Sequence, residues 1–209
     1  RTQQFGNRHF QNRYDERPKP LLYSLRHAYA PRLLTVQPRD GRLVLIAVND
    51  TDTPWSGPVH VRRQTFEGQV LESAMMDLAV PPRSTAELEP ARGLFAARND
   101  KREVFVATVG DVRAVHLFRE DPHLEYDPEP LSGEVERTEG GYRVTVRATS
   151  FARDVALLVD RVAPDAEVDD MLVTLLAGES HTFTVRTDSD IDPAELTRAQ
   201  VMRSANSLH

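Results

Sequence analysis

Residues 43–54 read LVLIAVNDTDTP, an unbroken apolar run followed by a cluster of turn-forming residues. An apolar run of this length that ends in Asn, Asp, Thr and Pro is typical of a buried strand. Short apolar or alternating stretches with turn signals between them follow it, and Glu67-Gly68 is a hairpin signal. About seven short strands in about 90 residues predict a β-sandwich. The further stretches are 59–66, 70–71, 76–80, 85–88, 104–109 and 114–118.

The second half of the chain repeats this strand pattern. Apolar and polar residues alternate over 142–149, as in a strand with one face in solvent, and further strands are predicted at 155–159, 171–173 and 181–185. Asp192-Pro193 predicts the start of a short helix, with Asp192 as its N-cap. The acidic, proline-rich stretch 121–130 predicts a semi-rigid linker or an edge crossover between two sandwiches. We therefore predict an all-β chain with two sandwich domains, at 20–122 and 123–209.

The region before the first strand divides into a tail and a helix. Residues 1–19 are polar, and we expect them to be extended or disordered unless another part of the protein holds them. Apolar residues then recur at helical spacing between Pro20 and Pro31, which predicts a short helix with one apolar face. So short a helix is marginal alone, and its apolar face must therefore dock on something. That face comprises Leu21, Leu22, Leu25, Ala28 and Tyr29.

Composition narrows the classes of function. The 209 residues include 26 basic and 32 acidic side chains, a formal net charge of −6 and no cysteine. Disulfides, thiolate metal sites and cysteine nucleophiles are therefore excluded, and the mild acidity argues against nucleic acid or an anionic membrane as partner. No apolar run approaches the roughly 20 residues of a membrane span. The first residues lack an initiator methionine and a signal-peptide pattern, so the chain resembles a piece of a longer protein. For the location of the protein, the cytoplasm is slightly favoured and export is left open.

Motifs that would carry catalysis or bind a metal are not found. The seven histidines lack metal-ligand spacing, and those at 60, 116 and 181 are predicted to be ordinary sheet-face residues. Residues 188–192, DSDID, resemble the start of a calcium loop but lack the later Gly and Glu, so a helix-capping turn is favoured. Asp169 and Asp170 are adjacent and would point to opposite faces of a strand. No catalytic residue, no cofactor and no metal is predicted.

Trp55, the only tryptophan, is the one candidate substrate-binding residue. It follows the turn at 49–54, where its ring could stack on a sugar while Asn49 and Asp52 bind hydroxyl groups. The alternative is that Trp55 closes the end of the sandwich core or packs on a neighbouring domain. This alternative is favoured because a single aromatic ring, without a second one beside it, offers little surface for stacking on a sugar.

Several stretches resemble the C-terminal part of the β-mannosidases of glycoside hydrolase family 2. Residues 17–31, RPKPLLYSLRHAYAP, are similar to the segment that leaves the catalytic barrel in this family, and residues 45–51, LIAVNDT, to a strand and turn of the following immunoglobulin-like domain. The resemblance continues in family order over about 14–208. The later stretches are 118–130, FARDVAL at 151–157, LLAGE at 175–179 and RSA at 203–205.

The resemblance implies that both sandwiches are immunoglobulin-like and accessory to a catalytic domain. The family's catalytic acid and nucleophile are two glutamates on a barrel that would precede Arg1, with residues 1–19 as the linker from it. No Glu of this chain matches either motif, so the chain should be inactive alone. The implied parent hydrolyses terminal β-D-mannosides with retention, and the implied partners are that upstream barrel and a mannoside, with no nucleic acid and no membrane. A carbohydrate-binding module and a fibronectin-like interaction or spacer pair remain the alternatives.

Overall fold

The structure is a computed structural model that describes residues 20–208, so the predicted tail at 1–19 lies outside the described residues. Strands dominate, as the sequence predicts. The elements of the first half are α1 (Pro20–Ala28), β1 (Arg32–Arg39), β2 (Arg42–Asn49), β3 (Trp55–Thr65), β4 (Val70–Val80), β5 (Ser84–Leu88), β6 (Glu103–Val109) and β7 (Val112–Leu117). Those of the second half are β8 (Leu131–Thr138), β9 (Gly141–Ala148), β10 (Ala152–Leu157), β11 (Glu167–Val168), β12 (Val173–Leu175), β13 (Ser180–Arg186), α2 (Pro193–Leu196) and β14 (Met202–Arg203).

Strands β1–β7 form the first sandwich. One antiparallel sheet has the order β1-β2-β5 and the other the order β4-β3-β6-β7. The β1–β2 hairpin turns at Asp40-Gly41, whose φ angles are both positive, at 50° and 77°. Positive φ at both central residues is what a two-residue type I′ hairpin turn requires. The apolar run that begins at Leu43 lies in β2, and its buried side chains pack across to residues of the facing sheet such as Val59 and Phe105. The predicted strand and sandwich are thus present.

Strands β8–β14 form the second sandwich. Its sheets have the orders β11-β13-β9-β8 and β12-β10-β14, and the core between them includes Val144, Val146 and Phe183. The predicted strand at 171–173 lies two residues later, because Leu172 adopts a positive φ of 61° and extended backbone resumes only at Val173. Asp192 caps α2 as predicted, accepting a hydrogen bond from the Ala194 amide at 3.0 Å.

The proline-rich stretch 121–130 is a packed connection between the sandwiches rather than a free spacer. It begins with a 3-10 helix at Asp121–His123, and the side chain of Leu124, which follows, is buried. The predicted domain boundary between 122 and 123 falls within this stretch and stays a prediction. Within the described residues, no helix is long and apolar enough to cross a membrane.

Candidate functional site

Trp55 begins β3 and lies at the end of the first sandwich core. Only 5% of its surface is exposed, and the Arg32 guanidinium lies 5.8 Å from the ring centre, within range of a cation–π contact. The preceding turn is fixed by Asn49, whose buried amide donates to the carbonyls of Thr53 at 2.8 Å and Pro81 at 3.0 Å. The amide of Asn49 is therefore engaged by the backbone of its own turn. A sugar contact at Trp55 stays a prediction.

Asp52 is the other turn residue singled out for hydroxyl binding. Its carboxylate is exposed and accepts a hydrogen bond from the Arg83 guanidinium at 2.9 Å. This exposed pair leaves a charged rim beside the turn. The turn can present polar groups to a neighbour without providing a catalytic arrangement.

The strand histidines occupy sheet faces. His60 is exposed on β3, and His116 on β7 lies between the rings of Phe95 and Phe118 at 6.3 and 5.5 Å. Burial lowers the pKa of His116, because the charged imidazolium would lose water there. His181 packs its ring against Phe183 at 4.5 Å. Among the described residues, no group of three or more His, Asp or Glu side chains is placed to hold a metal ion.

The acidic run at 188–192 belongs to a capped turn. Its backbone and side chains surround Asp165, which accepts hydrogen bonds from the hydroxyls of Ser189 and Thr187, both at 2.6 Å. These hydrogen bonds hold the pKa of Asp165 far below its ordinary value, because they stabilise the carboxylate. The geometry is that of a hydrogen-bonded turn that leads into α2, as the sequence analysis favoured.

One face of helix α1 is attached to the second sandwich. Tyr23 is 3% exposed, joins that sandwich's core and donates its hydroxyl to the Val168 carbonyl at 2.7 Å. Arg26 donates to the Asp169 carbonyl at 3.1 Å. His27 and Asp170 complete the contact, with 3.0 Å between Nε2 and Oδ1. The N-terminal helix therefore joins two parts of the chain that are about 145 residues apart in sequence.

The opposite face of α1 is apolar and uncovered, and we call it the leucine face. It comprises Leu21, Leu22 and Leu25 together with Tyr29, which directly follows the helix, and their surfaces are 67, 48, 43 and 81% exposed. The apolar spacing predicts that this face docks, but the residue of α1 that docks within the described structure is Tyr23. Helical spacing alone could not identify Tyr23, because its burial depends on a carbonyl of the distant strand β11.

An aromatic cluster joins the two sandwiches, and sequence reasoning missed it. Phe66 of the first sandwich stacks on Phe151 of the second at 5.1 Å between ring centres, and on Tyr126 of the connection at 5.4 Å. The Phe151 amide also donates to the Phe66 carbonyl at 2.7 Å. Leu124 and Leu176 close the cluster. The available signal was that Phe66, at the end of a predicted strand, and Phe151 each stand beside turn residues.

An ion pair reinforces this contact. The Arg113 guanidinium on β7 makes two hydrogen bonds to Glu179, at 2.6 and 2.8 Å, in the bidentate geometry that arginine favours. Burial would raise the pKa of Glu179, but the hydrogen bonds from Arg113 and the Leu176 amide outweigh it and hold that pKa below its ordinary value. Gly68, with φ of +92°, lies against Ala177 so closely that an added Cβ would be 3.2 Å from the alanine Cβ. The sandwiches are therefore docked.

A cavity of about 290 Å³ lies where the sandwiches meet. Its lining includes His116, Arg153, Asp154 and Thr174. Burial raises the pKa of Asp154, although its ion pair with Arg153, at 3.3 Å, favours the charged form. Arg153 also pairs with Asp121 of the connection. Because the charges in this lining are neutralised by one another, they consolidate the junction between the sandwiches.

Comparisons with known proteins agree with this architecture. Residues 126–208 match the family model Ig_mannosidase, an Ig-fold domain. No curated protein matches the chain. Among solved structures, a β-D-mannosidase from Dictyoglomus thermophilum superposes with a TM-score of 0.67 at 19% identity, over 89% of this chain and 23% of that one. The exo-chitosanase CsxA from Amycolatopsis orientalis superposes with a TM-score of 0.54 at 15% identity, over 88% of this chain and 26% of that one.

These matches confirm the predicted resemblance and fold class. The chain is all-β, carries an Ig-like domain, and resembles the C-terminal immunoglobulin-like region of family 2 β-mannosidases. It spans about a quarter of the length of the solved structures it resembles.

Proposed function

We propose that this chain, whose second half is a mannosidase-type Ig-fold domain, is the non-catalytic accessory region of a β-mannosidase-like glycoside hydrolase. Its parent would hydrolyse terminal β-D-mannosides with retention, using two carboxylates roughly 5 Å apart on an upstream catalytic barrel. The two sandwiches would brace that barrel as one docked unit. The observation that carries the proposal is the superposition of 89% of this chain on only 23% of a β-D-mannosidase.

The geometry of the chain supports a bracing role over a catalytic one. The aromatic cluster at Phe66 and the Arg113–Glu179 pair hold the sandwiches together, and Tyr23 holds α1 to the second of them. Such an arrangement keeps a supporting surface in a fixed geometry. A catalytic arrangement would instead need an acid and a nucleophile facing one cavity, whereas the cavity where the sandwiches meet is lined by the paired charges of Arg153 and Asp154.

The proposal is tested by comparing the 209-residue chain with the product of its whole gene. The reading frame upstream of the Arg1 codon is sequenced, and both proteins are assayed on an aryl β-D-mannoside. We expect the longer protein to hydrolyse it and to release mannose first as the β-anomer, visible by proton NMR, and the 209-residue chain to be inactive. Activity in the short chain, or a gene that encodes no catalytic domain, would contradict the accessory role. Activity on another glycoside alone would contradict the mannoside assignment.

Two other functions, a carbohydrate-binding module and a fibronectin-like spacer, can be distinguished from the accessory role by measuring whether the 209-residue chain binds sugar. A carbohydrate-binding module would bind β-mannooligosaccharides by itself, and the sugar contact predicted for Trp55 belongs to that function. Because Trp55 is the only tryptophan, its fluorescence reports on this position without ambiguity. A saturable change in emission, together with a calorimetric heat of binding that is weakened in Trp55→Phe, would support the binding module. A fibronectin-like spacer would show neither sugar binding nor a catalytic domain upstream.

A further inference from the structure

The leucine face of α1 is unusual for a helix on the surface of a folded protein. A surface helix normally buries its apolar stripe and exposes its polar residues. In α1 the arrangement is reversed, because Arg26 and His27 face the second sandwich while the leucines face solvent. The four residues of the leucine face make up the majority of the large apolar side chains exposed in the described part of the chain. Clustered exposure of this kind marks an interaction surface.

We propose that the leucine face is the surface on which the upstream catalytic domain of the same polypeptide docks, so that α1 lies between that domain and the second sandwich. This inference rests on the proposed function and specifies the surface through which the bracing acts. Tyr23, Arg26 and His27 would form one side of the layer, and Leu21, Leu22 and Leu25 the other. A domain resting on the leucine face would then be connected through one helix to the sandwich beneath it.

The position of α1 in the chain identifies the occupant. The polypeptide enters the helix at Pro20, immediately before Leu21, with 19 further residues preceding it. A domain tethered there has a high effective concentration at the leucine face, because its attachment point is the helix itself. The helix is also held in place before docking, so little conformational entropy is lost when the face is covered.

The placement of the basic residues inside α1 does not favour an anionic membrane surface as the occupant. Helices that bind anionic lipid carry free Lys or Arg beside the apolar face. The two basic residues of α1 are instead engaged by the second sandwich: Arg26 donates to the Asp169 carbonyl, and His27 contacts the Asp170 carboxylate. The leucine face itself carries no charged side chain, and it therefore fits an apolar protein surface.

The inference is tested by hydroxyl-radical footprinting of the full-length gene product and of the 209-residue chain. We expect modification of Leu21, Leu22, Leu25 and Tyr29 to fall several-fold in the longer protein, while Val70 and Met75, exposed on β4, react equally in both. Equal reactivity of the leucine face in both proteins would overturn the inference. Concentration-dependent protection in the 209-residue chain, with a dimer seen by light scattering, would assign the face to a second copy and overturn it equally.

A pair of variants of the full-length product provides the second readout. Leu22→Ser/Leu25→Ser should speed thermal inactivation roughly tenfold or more, since two buried leucine side chains are lost, while Val70→Ser/Met75→Ser should not. All four positions are exposed in the 209-residue chain, so neither variant should impair its folding. Unchanged inactivation with an active enzyme would overturn this inference alone. Protection of the leucine face in a product inactive on β-mannosides would overturn the mannosidase proposal but not the docking surface.

Discussion

Removal of the Phe151 ring should uncouple the two sandwiches. Phe151 is fully buried, stacks on Phe66 at 5.1 Å, and lies 6.2 Å from Tyr126, so its ring is a shared contact of both sandwiches and the connection. Phe151→Ala leaves a cavity at this junction while it leaves the cores within each sandwich complete. The variant therefore tests docking rather than the folding of either sandwich.

The structure sets the size of the effect. Deletion of a buried Phe side chain costs roughly 3–5 kcal/mol, and each aromatic pair contributes roughly 0.5–1.5 kcal/mol beyond its buried area. Phe151 has two such partners and no exposed surface, so we expect a loss near the upper end, about 4–5 kcal/mol. Against a typical total of about 5–15 kcal/mol for a folded domain, this is a large fraction.

Two optical probes separate loss of docking from general destabilisation. The fluorescence of Trp55 follows the first sandwich alone, whereas far-ultraviolet circular dichroism follows both. We expect the two urea transitions to coincide in the unsubstituted 209-residue chain and to separate in Phe151→Ala. They should coincide again in Phe151→Leu, which keeps most of the apolar volume. Coincident transitions in Phe151→Ala at an unchanged midpoint would refute the coupling.

Three further changes test other contacts. Arg63 and Glu103 form a buried ion pair in the first sandwich, and Arg63→Met leaves the Glu103 carboxylate without its cation. The free energy of unfolding in a urea titration should fall by about 3–5 kcal/mol. A loss below about 1 kcal/mol would contradict this. The Arg113–Glu179 pair stabilises the docked form fully above the ordinary Glu pKa of 4.5, and its contribution is lost as the pH falls through the lowered pKa of Glu179. Glu179→Gln should therefore flatten the plot of unfolding free energy against pH below about pH 4.5. An unaltered slope of this plot would exclude the pair as its source. Tyr23→Phe removes the hydroxyl donor to the buried Val168 carbonyl, at a cost of about 1–3 kcal/mol in unfolding free energy. It should therefore speed amide hydrogen exchange in residues 20–28. Unchanged exchange would show that the hydroxyl does not hold α1.

The strands could be predicted from sequence wherever a local pattern determined them. The run from Leu43 to Val48 lies within β2, and Asp192-Pro193 begins α2, because burial and capping there depend on neighbouring residues. Strand β8 was not predicted. It is an edge strand whose apolar residues are few, chiefly Leu131 and Val135, and its place comes from pairing with β9 rather than from its own hydrophobicity.

The candidate surface could be predicted only in part. The spacing of Leu21, Leu22 and Leu25 identified an apolar helix face, but the helix docks through Tyr23, whose partner is a carbonyl about 145 residues away. The proline content of 121–130 predicts a semi-rigid linker or an edge crossover, but it does not reveal that Tyr126 of this stretch joins the stack with Phe66. Contacts between distant segments leave no periodic signal in either segment, so sequence patterns cannot reveal them.

The hydrogen bond from Tyr23 to Val168 also constrains the order of events during synthesis. A ribosome adds about 5–20 residues per second, so roughly 7–30 seconds separate the emergence of these two partners. Throughout that interval the Tyr23 face of α1 lacks its partner surface on the sandwich, and a nine-residue helix has little stability of its own. The N-terminal helix is therefore among the first described segments to be made and among the last to be fixed.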